Sequence, residues 1–298
     1  MPSIQPGEVS VAKFHGLLLG AVAPRPIALA STLNQDGRPN LSPFSFFNVF
    51  SANPPIAIFS PARRVRDNTT KHTLENVLHT PEVVINIVNY NMVQQTSLSS
   101  TEYAQGVNEF IKSGLKPVQS TLVKPPGVME APARLECKVK EVISLGDQGG
   151  AGNLIVCEIL MIHVKDELLN EAGAIDPRKI DLVARMGGDW YCRANGDALF
   201  EVPKPLTTLG MGVDQLPESI RNSTILSGND LGKLGNVERL PDADAVQAFA
   251  GSEDFNNLLK AFPDEEKNSL NLHRMAAELL KSNNVQDAWK VLLISKVK

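Results

Sequence analysis

Residues 133–164 read ARLECKVKEVISLGDQGGAGNLIVCEILMIHV: two long β-rich segments, 133–145 and 153–164, joined by Gly146-Asp147-Gln148-Gly149-Gly150-Ala151-Gly152. A connection this short joins neighbouring antiparallel strands, because a parallel crossover needs about a dozen residues or more. The glycines could suit a phosphate with exposed backbone N–H groups. A dinucleotide fingerprint, however, needs a strand, the turn and then a helix, and here a second strand follows. The loop is therefore read as structural.

The same grammar extends upstream. Pro24-Arg25-Pro26 forces an extended path into 27–32, and Asn34-Gln35-Asp36-Gly37 between two strand-like runs is hairpin chemistry, with the glycine at positive φ. The second strand runs on from Arg38. After Pro54-Pro55, Ile56-Ala57-Ile58-Phe59 reads as a buried strand, and 82–88 as another. Helical spacing predicts a short helix over 9–19 and a second over 69–78, with Thr69 or Thr70 as its N-cap. Several strands, short turns and brief helices define a mainly β chain with flanking helices, closed or nearly closed into a barrel.

After Pro203-Lys204-Pro205 the β-branched runs fade. Phe255-Leu258-Leu259-Phe262, Met275-Leu279-Leu280 and Ala288-Trp289-Val291-Leu292 each make one apolar helical face. The expected organisation is a barrel domain over 1–204 and a helical C-terminal extension over 205–298. One helix pair without a period gives no repeat array.

The chain of 298 residues is 43% hydrophobic, ample for a packed core. Its 29 basic and 33 acidic residues leave a formal charge of −4, which argues against nucleic acid and anionic membrane as partners. The apolar run over 16–23 is far short of a membrane span and lacks the flanks of a secretory signal, so a cytoplasmic protein is expected. Cys137, Cys157 and Cys192 form no C-x-x-C pair and read as reduced thiols. His72 and His79 stand about 10.5 Å apart along a helix, too far to share one metal ion, and no metal site is expected.

The stretch NLSPFSFFNVFSANPPIAIFS, 40–60, places five phenylalanines among small polar residues. An ordinary strand would bury alternate positions. This one suits a flat molecule with polar edges. Downstream, Arg63, Arg64, Arg66 and Lys71 crowd a predicted helix start, which suits a phosphate, although each arginine taken singly also fits a solvated basic loop.

PRPIALASTLNQDGRPNLSPFSFFN, NPPIAIFS, KHTLENVLHT, NEFIKSGL, LECKV, CEILMIHV and VARMGGDWY, in this order, resemble the flavin reductase-like family of FMN-binding split barrels, over about residues 20 to 195. The branch containing flavoredoxin is the nearest in pattern. The resemblance implies FMN as cofactor, with Asn40, Ser42, Pro43, Phe44, Ser45, Phe46, Phe47 and Asn48 along its ring edge and walls. It implies Ser60, Arg63, Arg66, Lys71 and Thr73 toward the phosphate. His72 stands where the family commonly has an aspartate between this lysine and threonine, which puts any salt-bridge role of that aspartate in doubt. Arg185, before Gly187-Gly188, is implied at a phosphate or a subunit contact, and a structural ion pair fits it as well.

For His163 the resemblance implies a place beside the flavin, orienting nicotinamide or substrate as a donor; alone, it also fits a satisfied polar group at a barrel end. The implied function is NAD(P)H-dependent flavin reduction, with hydride delivered to the flavin N5 from NADH or NADPH. Electrons would pass to free flavin, an acceptor protein or another acceptor. The implied assembly is a homodimer with flavin between subunits. Hydrolytic chemistry has no support, since a G-x-S-x-G elbow and a Cys–His nucleophile are lacking. The alternative is a non-catalytic FMN electron carrier that docks partners through its helical tail.

Overall fold

A computed structural model describes residues 1–206, 209–262 and 269–294. The chain divides into two compact units, Met1–Phe200 and Glu201–Lys298.

The first unit is built on seven antiparallel strands: β1 (Ala28–Leu33), β2 (Pro39–Phe44), β3 (Phe47–Ala52), β4 (Pro55–Phe59), β5 (Glu82–Ile87), β8 (Ala133–Ser144) and β9 (Asn153–Val164). A two-stranded pair, β6 (Pro117–Val118) and β7 (Gly127–Val128), lies between β5 and β8 in the chain, and a small hairpin, β10 (Val183–Arg185) and β11 (Tyr191–Arg193), follows β9. The spatial order is β2-β1-β5-β8-β9-β4-β3. Ala28, Phe44, Phe59, Ile85, Leu135 and Ile155, from six strands, meet in one core, as expected of a sheet rolled round its inner face.

The hairpin expected at 34–37 joins β1 to β2: Asn34 N donates to Arg38 O at 3.0 Å and Gly37 takes φ 79°. The loop 146–152 joins β8 to β9, antiparallel and in register from Ser144 opposite Asn153. Cys137 and Cys157 are fully buried in the core, and burial pushes the Cys137 thiol up to about 12, so both are inert packing groups.

Helix α1 (Val11–Ala21) begins two residues later than its apolar spacing suggests, because Ser10 caps it by accepting from Lys13 N. Its C-terminal end is fastened by buried Arg25, whose guanidinium donates to Leu19 O, Val22 O and Met186 O at 2.5, 2.7 and 2.7 Å. Helix α2 (His72–His79) seats Leu74 and Val77 in the barrel core. Its N-cap is Lys71, without a side-chain bond, and not Thr69 or Thr70. Those hydroxyls are committed elsewhere: Thr69 Oγ1 donates to Asp67 Oδ1 at 2.7 Å and Thr70 Oγ1 to Glu75 Oε1 at 2.6 Å. Helices α3 (Val93–Leu98) and α4 (Glu109–Ser113) flank a polar connection, and α5 (Pro177–Ile180) precedes β10.

The second unit is helical: α6 (Glu218–Arg221), α7 (Gly228–Gly235), α8 (Ala243–Ala250), α9 (Glu253–Ala261), α10 (Ser269–Lys281) and α11 (Val285–Leu293). Phe255, Met275, Leu280 and Trp289 share its core, and the Trp289 indole donates to Leu234 O at 3.1 Å. The apolar faces read from the sequence therefore close on one another within the unit. Among the described residues no helix is long and apolar enough to cross a membrane.

His273 on α10 is buried, with Nδ1 2.8 Å from Ser223 Oγ. Burial holds its pKa below 6.5. The unfolded chain then binds more protons between the folded value and 6.5, so stability is full above that window and falls as pH drops through it. In a Trp190→Phe background, Trp289 fluorescence is expected to report a thermal midpoint that falls as pH drops below about 6.5. His273→Gln should flatten that slope.

Candidate functional site

The connection from β4 to α2, residues 60–71, carries the cations, and the glycine-rich loop fixes its path. Arg63 N donates to Ala151 O at 2.8 Å and Gly150 N to Arg63 O at 3.0 Å. Asn68 Nδ2 donates to Asp147 O at 2.9 Å and Asn153 Nδ2 to Pro61 O at 3.1 Å. A Cβ on Gly149 would stand 3.0 Å from the carbonyl oxygens of both Arg64 and Val65, so any side chain there would press the 64–65 backbone aside. The loop read as merely structural is thus the support beneath the cationic segment.

Arg64 is the centre of that segment. Its Nη1 donates to Thr69 Oγ1 at 2.9 Å and to Thr70 O, and its Nε lies 2.8 Å from Glu102 Oε1. Arg66 Nη2 reaches Glu102 Oε2 at 2.5 Å and Lys71 Nζ reaches Oε1 at 3.3 Å. One carboxylate therefore faces three cations. The Arg64 hydrogen bond first, then Arg66 and Lys71, hold the Glu102 carboxyl at about 2, against a smaller opposing effect of burial.

Arg64, Lys71 and Glu102, but not Arg66, border an open polar hollow also lined by Asn40, Ser42, His72 and Thr73. Asn40 Nδ2 donates to Thr73 Oγ1 at 3.0 Å, a buried bond that ties β2 to α2. Ser99, Ser100, Thr101 and Tyr103 add hydroxyls from the connection after α3, and Glu109 supplies a wall. Glu109 accepts from Leu41 N at 3.1 Å; burial pushes its carboxyl up against that hydrogen bond. The hollow offers guanidinium, ammonium and hydroxyl donors in one place, the donor set a phosphate monoester takes.

Asn40, Ser42, Lys71 and Thr73 are thus brought together. Ser60 N donates to Phe46 O at 2.9 Å, which sets the turn at Ser45 and Phe46 beside the start of the cationic segment. The phenylalanines divide by strand geometry. Phe44 packs on Phe59 in the core, ring centroids 5.4 Å apart, and is not a ring wall; Phe47 is half-buried against the same core. Phe46 is exposed, 5.9 Å from His15 between ring centroids. Pro43 is half-buried on β2 and Asn48 exposed on β3, its Oδ1 accepting from Val49 N.

Three other residues lie apart from the hollow or turn from it. Arg63 bonds Asn68 Oδ1 and Asn68 O, each at 2.7 Å, and braces its own loop. Arg185 donates to Gly188 O at 2.8 Å and lies over the Tyr191 ring, inside the β10–β11 hairpin. His163 sits at the end of β9, eight residues beyond Ile155, where β4 pairs. That is about 26 Å of strand path, and His163 is not among the residues that line the hollow. Its Nε2 lies 2.6 Å from Glu136 Oε1.

Sequence reasoning missed residues 99–103 and Glu109. The one signal was the hydroxyl-rich run Ser99-Ser100-Thr101, which also fits a plain turn.

The chain belongs to the flavin reductase like domain family, whose model matches residues 20–180. It is a flavin-binding family of oxidoreductases, and the fold is its split barrel. An uncharacterized protein of Aquifex aeolicus is 39% identical over 188 residues, covering 63% of this chain and 93% of that one. Among solved structures, nitrilotriacetate monooxygenase component B from Bacillus cereus is 29% identical with a TM-score of 0.63, over 68% of this chain and 98% of that one. The 2-nitrobenzoate 2-nitroreductase of Pseudomonas fluorescens is 26% identical with a TM-score of 0.61, over 70% and 100%. Flavoredoxin of Desulfovibrio vulgaris, at 22% identity and a TM-score of 0.52 over 60% and 91%, shares the fold.

Proposed function

We propose that this protein binds FMN, with the phosphate at Arg64 and Lys71, and works as an NAD(P)H-dependent oxidoreductase. The observation that carries the reading is the convergence of Arg64, Lys71, Thr73 and the Ser99–Thr101 hydroxyls on one hollow, beside the backbone turn at Ser45–Phe46. FMN, when bound, supplies the redox chemistry by taking a hydride from NADH or NADPH at its N5. The chain's own residues bind and orient: cations neutralise the phosphate, Ser42 and the backbone over 45–48 meet polar edges, and Phe46 covers apolar ring surface. The nitroreductase neighbour supports reductive chemistry on this fold.

The reading includes a homodimer. Its support is apolar surface that one chain leaves open: α1 has no buried residue, and Val49 and Phe50 on edge strand β3 and Ile162 on β9 are exposed.

An anaerobic absorbance spectrum of the FMN-loaded protein tests the reaction. Bleaching on addition of NADH or NADPH is expected, and the faster nucleotide identifies the donor. A bound flavin that ignores both yet reduces with dithionite would replace the enzyme with an electron carrier. Gly149→Ala is expected to push the 64–65 backbone aside and weaken FMN several-fold, measured by flavin fluorescence titration, with the far-ultraviolet spectrum unchanged.

A further inference from the structure

Glu102 contacts three cations, and it does not belong to their segment. Arg64, Arg66 and Lys71 come from the β4–α2 connection, whereas Glu102 arrives from the connection between α3 and α4. Both its oxygens are used: Oε1 by Arg64 and Lys71, Oε2 by Arg66. These are the same N–H donors that a phosphate would require. A phosphate dianion seated on the same N–H groups would meet the carboxylate at hydrogen-bond distance, where like charges repel.

The segment carrying Glu102 is built to let go. Its backbone bonds are local: Ser100 N to Ser97 O, Thr101 N to Leu98 O, Tyr103 N to Thr101 O and Val107 N to Ala104 O. None of these joins it to the sheet. Residues 100–102 and 104–106 are exposed, and Gly106 has φ +84°. Apart from Tyr103, whose ring lies 5.5 Å from Lys112 Nζ on the neighbouring helix, the Glu102 ion pairs are its principal described anchor on the cations. Such pairs on an accessible surface hold weakly and exchange readily for a better anion.

We propose that Glu102 is a resident stand-in for the ligand's phosphate, and that the strap over 99–107 must withdraw it before a phosphate monoester can bind. This deepens the FMN reading and rests on it for the identity of the ligand. The strap sets one carboxylate against the three cations in the free protein, and the need to withdraw it scales apparent affinity by the fraction of time the seat is open. A ligand without phosphate has no need to displace it, so the strap lowers affinity for a dianion and leaves an uncharged analogue unaffected.

The test measures inorganic phosphate by ³¹P line broadening, and FMN and riboflavin by fluorescence titration, on wild type, Glu102→Gln, Glu102→Ala and Arg64→Ala. Both Glu102 variants are expected to bind phosphate and FMN about tenfold more tightly, as for a seat that is about nine-tenths closed, with riboflavin unchanged. Amide hydrogen exchange over 99–107 is expected to speed up when FMN binds. Unchanged or weaker phosphate binding in Glu102→Gln would overturn the proposal and make Glu102 a brace for the cations. Tighter phosphate with no difference between FMN and riboflavin, in wild type and Arg64→Ala alike, would uphold the seat and reject FMN as its ligand.

Discussion

Arg64→Ala is expected to lower FMN affinity by about a hundredfold and to leave riboflavin affinity nearly unchanged. Arg64 is the least exposed of the three cations on Glu102, at 17% for the side chain against 67% for Arg66 and 30% for Lys71. Water therefore screens it least. Charge-assisted hydrogen bonds of this kind are worth about 1.5–3 kcal/mol each, and losing one strong bond or two weaker ones reaches a hundredfold. The arginine also shapes its own loop through Thr69 Oγ1 and Thr70 O, so Arg64→Lys should recover only part of the loss: it restores charge but not the fork. Paired FMN and riboflavin titrations check this, because a variant that merely disordered the loop near the ring would weaken both ligands.

The second large effect is on stability. Glu136→Gln is expected to destabilise the barrel unit by about 3–5 kcal/mol, read from chemical denaturation. Glu136 is almost fully buried on β8, where Oε1 accepts from Thr121 N at 2.7 Å and Oε2 from Leu122 N at 2.5 Å and Val123 N at 3.2 Å. His163 completes the set. The carboxylate stitches the 119–125 turn to the sheet. A glutamine has one acceptor oxygen for these donors and points an amide at a backbone N–H. Burial pushes the Glu136 carboxyl up, yet the Thr121 and Leu122 amides with His163 together hold it below its ordinary value. Its stabilisation is therefore complete above the unfolded pKa of about 4.3 and is lost as pH falls through the lower folded value. The variant should lack that acid-side loss.

This bond also bears on His163. The sequence placed a histidine at a strand end and a carboxylate in LECKV without connecting them, because they are 27 residues apart and only the β8–β9 register brings them into contact. Strand registers of this kind follow from a hairpin, and the hairpin was legible: the glycine-rich loop between two β-rich runs fixed the antiparallel pair. Gly149 shows the limit. Its role as a support is invisible locally, because the carbonyls it nearly touches belong to Arg64 and Val65, 84 or 85 positions earlier.

The cationic segment was legible as a charge cluster, but not which cation matters. Arg63 and Arg64 are neighbours with the same chemistry, and only the fold turns one onto Asn68 and the other toward the hollow. The phenylalanine-rich stretch misled in part for the same reason: β2 sends Phe44 inward to Phe59, where it serves packing. Residues 99–103 could not be found from the sequence, since serines and threonines after a short helix are ordinary turn chemistry until a fold sets them opposite three cations.

Whether an FMN phosphate occupies the cationic hollow is read from a crystal structure of the protein grown with FMN. Phosphate oxygens are expected within hydrogen-bond distance of Arg64 and Lys71, with Glu102 withdrawn from both. FMN bound with its phosphate elsewhere, or Glu102 still seated on Arg64 beside a bound phosphate, would contradict this expectation.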